Sequence, residues 1–592
     1  MAESNVDFIE PDPAGAPKSR MAQFLADVMR TRLDKSSSRL RLVAIGFIMV
    51  FGLISGKLVL LGFKPDNSQS LKGAAAEAVS GARPDILDRN GAVMATDIKT
   101  MSVFAEPRRI IDKDEAVELL TAVLPDVDAH DLRDRLGSRK GFVWVKRGIT
   151  PSQQAEVYHL GLPGIGFLPE NRRVYPNGPI AAHVLGFANL DNQGIAGIEK
   201  YIDGQGLADL HGAGFKLSSD DLKPITLSID LNATHAMRDE LAKGIEHFKA
   251  KSGAAAIMNV NTGEMIAFAS LPDYDPNNPA EALNLDPNHI NHLTVGVYEM
   301  GSTFKAISIA MALEANKVTL NSKLDARDSL RYGRFTIHDF HNEGRFLTVP
   351  EVFKYSSNVG TARMAMLVGI EGHQAFLKKM GQFDRLRTEL PENAMPLIPK
   401  PWSELNTITA AFGQGLNVAP LQAMMAVAGL VNGGYLIKPT FLRRDSDDVR
   451  TQYPRVVRPE VSEELRYLMR LNAAVGSAKK INIPGYFAGG KTGTADKIIH
   501  GRYAKDKVFT TFMSIMPADK PKYLFLVLMD DPQAVPGTYG FHTAAWNSGE
   551  VCGKIMARVA PILDMPPNFV LPQQPFPYVA KLGIGLADVM QP

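Results

Sequence analysis

The chain has a single cysteine, Cys552, so it can form neither an intrachain disulfide nor a multi-cysteine metal site. It also has almost no surplus of charge: 65 lysines and arginines face 63 aspartates and glutamates, a formal net charge of +2. Nucleic-acid binding usually needs a basic stripe, and this balance gives no case for one. Gly-x-Ser-x-Gly is missing, which leaves a hydrolase triad without an anchor, and His-Glu-x-x-His is missing as well. The 50 glycines and 38 prolines follow no collagen-like period and no internal repeat is evident. What is present is globular in composition, with 45% hydrophobic and 22% charged residues. At 592 residues the chain is too long for one core, and its length corresponds to roughly four folding units.

One hydrophobic run stands out. Residues 42–63, LVAIGFIMVFGLISGKLVLLGF, carry a single charge, Lys57. As a helix this run spans about 33 Å, just over the hydrocarbon core of a bilayer. Lys57 lies near its end, where its side chain can reach the interface. Arg30, Arg32, Lys35, Arg39 and Arg41 precede the run, whereas only Lys64 and Lys72 follow it closely. The positive-inside bias therefore puts residues 1–41 in the cytoplasm and roughly 530 residues outside. A cleaved signal peptide would have a shorter apolar core and a small-residue site close behind it. The nearest Ala-x-Ala, at 74–76, is well downstream, so an uncleaved transmembrane anchor is expected.

Residues 64–224 are mixed, with short strand-like runs and turns at Arg89-Asn90-Gly91, Pro176-Asn177-Gly178 and Asp191-Asn192-Gln193-Gly194, and no catalytic cluster. They read as a pedestal or docking module. Composition shifts near Ile225. Residues 254–260, the turn Asn261-Thr262-Gly263 and residues 264–271 read as strand, turn, strand. Helical patterns dominate from Ser302 to about Val475, and strand signals return at 487–490, 508–516 and 523–529. A last helix puts Val551, Ile555 and Val559 on one face, with Cys552 beside it as a small buried hydrophobe. One antiparallel sheet is thus expected, split in sequence by an inserted helical block, in a domain over 225–565 followed by a Pro-rich tail over 566–592.

Three elements carry the chemistry. Gly301-Ser302-Thr303-Phe304-Lys305 opens a segment that is apolar on every side, and Lys305 is the only charge from Gly301 to Leu313. A lysine in a core helix is costly unless it has a partner or a job. Residues three apart share a helix face, and burial favours a neutral amine that can take the proton of Ser302. Free N–H groups at the helix start can also stabilise a developing anion. Alone, Ser-x-x-Lys is common and is more often a capping serine with a snorkelling lysine. However, Ser356-Ser357-Asn358 follows 54 residues after Ser302, and Lys491-Thr492-Gly493-Thr494 follows 135 residues after Ser356. Ser-x-x-Lys, Ser-x-Asn and Lys-Thr-Gly in this order form the penicillin-interacting signature.

Two competing motifs are set aside. Residues 485–492 formally match the phosphate-binding pattern GxxxxGK[ST], but Pro484 precedes them, Gly493 and Gly501 interrupt any helix, and the segment is expected outside the cytoplasm. His338, Asp339, His341 and Glu343 are the densest set of potential metal ligands, yet such a loop is more often a hydrogen-bonded turn, and no metal is expected.

On these residues the chain resembles the class B penicillin-binding proteins, most nearly their septal branch. The resemblance extends to Arg83-x-x-Ile86-x-Asp88-Arg89-Asn90-Gly91, Arg173-Val174-Tyr175-Pro176, Ala182-His183 and Gly194-x-x-Gly197-x-Glu199 in the pedestal. Met300 and Pro84 depart from the usual pattern, at positions where many relatives have Pro and Gly. The resemblance implies an α+β multidomain fold: a single transmembrane helix over 42–63, a pedestal over 64–224 of the dimerisation type, and a transpeptidase domain over 225–565.

It also implies a peptidoglycan D,D-transpeptidase without a cofactor, cross-linking stem peptides and acylated by β-lactams. Ser302 would be the nucleophile and Lys305 its base. Ser356 would relay a proton and Asn358 hold a substrate amide. Lys491, Thr492, Gly493 and Thr494 would bind the terminal carboxylate, with the N–H groups of Ser302 and Thr494 as oxyanion hole. An FtsW-type glycosyltransferase and other divisome proteins would be partners, at the division site of a cell inner membrane with the catalytic domain in the periplasm. A side-wall transpeptidase, a D,D-carboxypeptidase or β-lactamase-like sensor, and a non-catalytic scaffold are the alternatives.

Overall fold

The computed structural model describes residues 35–62, 82–207, 222–283, 286–499 and 502–591. It divides into two compact units, Met1–Ala76 and Glu77–Pro592. Of the first unit, one helix is described, Lys35–Gly62. It covers residues 42–62 of the expected anchor, while residue 63 and most of the expected cytoplasmic tail lie outside the described residues. Nine large apolar side chains between Val43 and Ile54 are exposed, so the helix is apolar all round. Among the described residues, whose side chains in this helix run from 43 to 57, no helix is long and apolar enough to cross a membrane.

The second unit begins with a five-stranded pedestal sheet built from β1 (Ile86–Leu87), β2 (Val93–Ala105), β3 (Val143–Ile149), β4 (Ile165–Val174) and β5 (Ile225–Thr226). The long β2 pairs antiparallel with β1, β3 and β4, and β5 returns to lie parallel to β1. Helices Lys113–Val123, Ala129–Gly137 and Pro151–His159 pack on it, each started by a capping side chain, Asp112, Asp128 and Thr150 respectively. Leu120, Leu132, Val103 and Val145 form the shared core.

The pedestal motifs meet in one buried ionic cluster. Arg83 Nε donates to Glu199 Oε2 at 2.7 Å and Arg173 Nε to Glu199 Oε1 at 2.6 Å, while Asp203 and Asp97 take further donors from the two guanidinium groups. Burial alone would push the Glu199 carboxyl up, but the two arginines hold it below its ordinary value. Removing one partner strands the others in the core. Glu199→Ala is therefore expected to cost about 3–5 kcal/mol. A urea denaturation midpoint indistinguishable from the parent would refute that.

Strands β6 (Ser252–Asn259) and β7 (Met265–Leu271) open the larger sheet. Two small two-stranded sheets follow, β8 (Lys323–Asp325) with β11 (Phe346–Thr348) and, between them in sequence, the hairpin of β9 (Leu330–Tyr332) with β10 (Phe335–Ile337). The sheet is completed by β12 (Gly489–Ile499), β13 (Arg502–Met516) and β14 (Tyr523–Asp530), in the antiparallel order β12-β13-β14-β6-β7. The expected sheet, split in sequence by a helical block, is the one observed.

Every residue of β6 is buried, because alternate side chains feed two different cores. Ala255 and Ile257 face helices Leu231–His247 and Ser548–Val559, whereas Ala254 and Ala256 face the inserted helical block. Val551, Ile555, Val559 and Cys552 are buried together as expected.

Two strands run beyond the sequence reading. β12 does not stop at Gly490 but runs to Ile499, and β13 starts at Arg502, the two pairing along their length with one bulge at Asp496/Lys497. The far half of β12, Ala495-Asp496-Lys497-Ile498-Ile499, is interrupted by two charges and ends exposed, so no continuous apolar run marked it. Pro566–Pro577, whose proline-rich composition reads as extended, forms no helix or strand before Pro577; from there the tail continues as a short helix, Pro577–Lys581, and a turn, Ala587–Met590, with Phe576, Val579 and Val589 fully buried.

Candidate active site

Ser302 sits in a 3₁₀ turn, Gly301–Phe304, that leads directly into the helix Lys305–Glu314. Side chains three apart eclipse in a 3₁₀ turn, so Ser302 and Lys305 share a side more strictly than an α-helix would require. The helix is buried from Lys305 through Leu313, whereas Ser302 is half exposed. Its hydroxyl takes no hydrogen bond among the described residues. Such contacts commonly tighten only when substrate is bound.

β12 is the edge strand of its sheet and lies against this turn. The approach is close enough to require glycine. A Cβ on Gly493 would stand 2.7 Å from the Met300 carbonyl oxygen, and one on Gly301 2.7 Å from the Thr494 carbonyl oxygen. Gly301 also has φ of +55°, open to glycine at little cost. The Met300 carbonyl is fixed by the hydroxyls of Thr303 and Thr511, at 2.7 and 3.1 Å. Glu299, one residue earlier, accepts from Gly415 N at 2.6 Å and from the Tyr503 hydroxyl at 3.0 Å.

Two buried lysines converge on Ser356. Lys305 Nζ donates to the Ser356 carbonyl, to Asn358 Oδ1 at 2.8 Å and to Ser356 Oγ at 3.1 Å. Lys491 Nζ donates to the same Oγ at 2.9 Å and to the Thr492 carbonyl at 3.1 Å. Ser356 holds this bridging position with φ of +56°, a left-handed conformation rare outside glycine. Burial pulls the Lys305 ammonium well below its ordinary value, and the Lys491 charge pulls it further against the opposing effect of Asp339. Burial brings Lys491 down to about 7. Lys491 can thus exist uncharged near neutrality, and the burial of Lys305 favours its neutral form in the same way.

The remaining expected residues are brought to the same place. Thr492 Oγ1 lies 2.9 Å from Ser477 Oγ, and Thr494 Oγ1 accepts from Ala544 N at 3.1 Å. Asn358 Nδ2 donates to the His338 carbonyl at 2.9 Å. Asp339, weighed in the sequence as a metal ligand, instead accepts from Ser357 Oγ at 2.5 Å and from Val359 N at 2.9 Å, so it ties the Ser-x-Asn turn down. Among the described residues no group of His, Cys, Asp and Glu is placed to hold a metal. Lys491 and Thr492 lie within a strand, not at the head of a helix, which removes the phosphate-loop reading.

Sequence reasoning missed Ser477 and Asn472, whose only signal was proximity to the end of a helix. Trp546 packs with Tyr539 and Phe541 on the loop that bonds Thr494.

Residues 253–556 match the family model of the penicillin-binding protein transpeptidase domain, and residues 78–205 match that of the penicillin-binding protein dimerisation domain. The chain belongs to the penicillin-binding protein transpeptidase family. This penicillin-binding protein is 36% identical to a probable peptidoglycan D,D-transpeptidase FtsI of Caulobacter vibrioides, over 83% of each chain. It is 29% identical to the peptidoglycan D,D-transpeptidase FtsI of Escherichia coli, over 86% of this chain and 88% of that one. Its fold matches a crystal structure of penicillin-binding protein 3 from Mycobacterium tuberculosis complexed with aztreonam, with a TM-score of 0.62 and 22% identity, over 83% of this penicillin-binding protein and 98% of that chain. The two-domain α+β architecture expected from the motifs is thus the family's own.

Proposed function

We propose that the protein is a peptidoglycan D,D-transpeptidase that cross-links stem peptides through a serine acyl-enzyme. The observation that carries this reading is the convergence of two buried lysines on Ser356 beside the half-exposed Ser302. Ser302 Oγ attacks the carbonyl between the two terminal D-alanines, and neutral Lys305 takes its proton. The bond from that carbonyl to the leaving nitrogen breaks, and Ser356, bridging both lysines, passes a proton to the departing D-alanine amine. An amine of a neighbouring stem peptide then bonds to the acyl carbon, the Ser302 ester breaks, and the serine recovers its proton.

The substrate lies along the free edge of β12. There Lys491, Thr492 and Thr494 bind its carboxylate, Gly493 permits close approach, and Asn358 holds an amide. The backbone N–H groups of Ser302 and Thr494 stabilise the oxyanion. A β-lactam acylates Ser302 by the same route.

We place the enzyme in a cell inner membrane, single-pass, with residues 42–63 as anchor and the catalytic domain in the periplasm. The all-round apolar surface of the helix and the basic residues before it support this. Septum formation beside an FtsW-type glycosyltransferase and other divisome proteins is the role favoured by likeness to the two FtsI proteins.

The purified chain, given a stem-peptide donor and an amine acceptor, is expected to release D-alanine and form a cross-linked product detectable by mass spectrometry. Release with water as sole acceptor would make it a carboxypeptidase instead. A fluorescent fusion spread along the side wall, not gathered at mid-cell, would overturn the septal role.

A further inference from the structure

The helix Pro459–Val475 buries a guanidinium against which, among the described residues, no carboxylate lies. Arg470 is 1% exposed and, among the described residues, forms no ion pair. A buried cation of this kind is tolerated only when its donors are all met. Four hydrogen bonds meet them among the described residues, three to main-chain carbonyls. Nε donates to the Val589 carbonyl at 2.9 Å and Nη2 to the Gln591 carbonyl, while Nη1 reaches Asn482 Oδ1 at 2.6 Å and the Ala488 carbonyl at 3.1 Å. Two of these acceptors belong to the C-terminal tail, and a third lies at the entrance to β12.

One strand edge links them. Asn472, two residues beyond Arg470, donates to the Gly490 carbonyl at 2.9 Å. Carbonyls two apart on a strand point to the same edge, so Arg470 and Asn472 grip successive carbonyls immediately before Lys491. The tail closes over this grip. Phe576, fully buried, stacks on Phe487 with centroids 6.2 Å apart and meets Tyr467 edge-on at 5.8 Å. The Arg470 guanidinium lies 4.5 Å over the same Phe487 ring. Glu463 accepts from the backbone N–H groups of Tyr578 and Val579, at 2.5 and 3.1 Å.

We infer that residues 576–591 form a clasp that sets the position of β12 for acyl transfer, acting through Arg470 as a positioning residue. The clasp satisfies three things at once: the buried guanidinium, the face of Phe487 and the Glu463 carboxylate. Without it, Arg470 has to find other acceptors or move toward water. Its hold on the Ala488 carbonyl then loosens three residues before Lys491. The inference rests on the reading of β12 as the strand that receives substrate.

The test is the acylation rate of the full chain in detergent with a fluorescent penicillin. Arg470→Gln is expected to slow acylation about 10- to 100-fold, the scale of a small misplacement of reacting groups. Arg470→Lys is expected to recover part of that loss. Removal of residues 574–592 should slow acylation similarly, and a synthetic peptide of residues 574–592 added in trans should restore it. Leu120→Ala, which hollows the pedestal core, serves as a variant of lowered stability that keeps the parental rate.

Acylation within twofold of the parent in folded Arg470→Gln overturns the inference. So does a Leu120→Ala loss equal to that of Arg470→Gln, since a general loss of stability would then suffice. If Arg470→Gln fails to fold, the shortened chain decides, and a parental rate without peptide overturns the clasp. Absence of acylation in the parent itself would instead bring down the reading of the active site.

Discussion

Replacing Ser302 by alanine removes covalent capture of a fluorescent penicillin, with labelling falling by at least about 10³-fold. The expectation follows from the geometry of the turn. Ser302 is half exposed in a site where the Ser356 hydroxyl already receives both lysine amines. Ser356 is thus committed to the lysines, and Ser302 is left to attack. Because the Ser302 hydroxyl makes no hydrogen bond among the described residues, its loss should leave the melting temperature close to that of the parent. In the parent the adduct should persist for many minutes, as expected of an acyl-enzyme that awaits an amine acceptor. Labelling of Ser302→Ala at the parental level would move the nucleophile elsewhere. Rapid loss of the parental adduct would point to a β-lactamase.

The three motifs were legible because each is local. Ser302 and Lys305 lie one turn apart, Ser356 and Asn358 two residues apart, and Lys491 to Thr494 form a continuous run. Their convergence was not local, and only their order along the chain stood in for it. The central strands were legible from apolar runs that the structure explains: side chains on both faces of β6 and β14 are buried.

What stayed hidden was of two kinds. The far half of β12, with Asp496 and Lys497 at its middle and Ile498 and Ile499 exposed, is held by pairing with β13 more than by burial, so no apolar run marked it. The supports of the site were hidden because their partners are remote in sequence. Asp339 bonds Ser357 and Val359 across about twenty residues, and Arg470 bonds Val589 across 119. The left-handed conformation of Ser356 was equally invisible, since nothing in Ser-Ser-Asn announces a positive φ.

Lys305→Met is expected to slow acylation by about 10²- to 10⁴-fold, the usual contribution of a positioned general base, and at the same time to raise thermal stability. The two effects have one cause. Lys305 is fully buried and its ammonium is disfavoured, first by burial and then by the Lys491 charge, with Asp339 only partly opposing them. Its pKa in the fold therefore lies below that of the unfolded chain, and between the two the unfolded state binds more protons. The fold consequently pays for this lysine most heavily at low pH, and the cost fades as the pH rises toward the ordinary lysine value of 10.5.

Methionine has similar length and no charge to bury, so the stability advantage of the variant should be widest in acid and close at high pH. Part of the gain is offset by leaving Asn358 Oδ1 and the Ser356 carbonyl without their donor. Acylation has the opposite pH signature: in the parent the rate rises with pH as Lys305 becomes neutral, and in Lys305→Met that limb disappears. Melting curves and acylation rates from about pH 5 to 10 measure both. A variant that is slower but also less stable at every pH would show that Lys305 serves the fold and not the reaction. A parental rise of rate with pH retained in Lys305→Met would assign the base to Lys491, the other buried amine on Ser356.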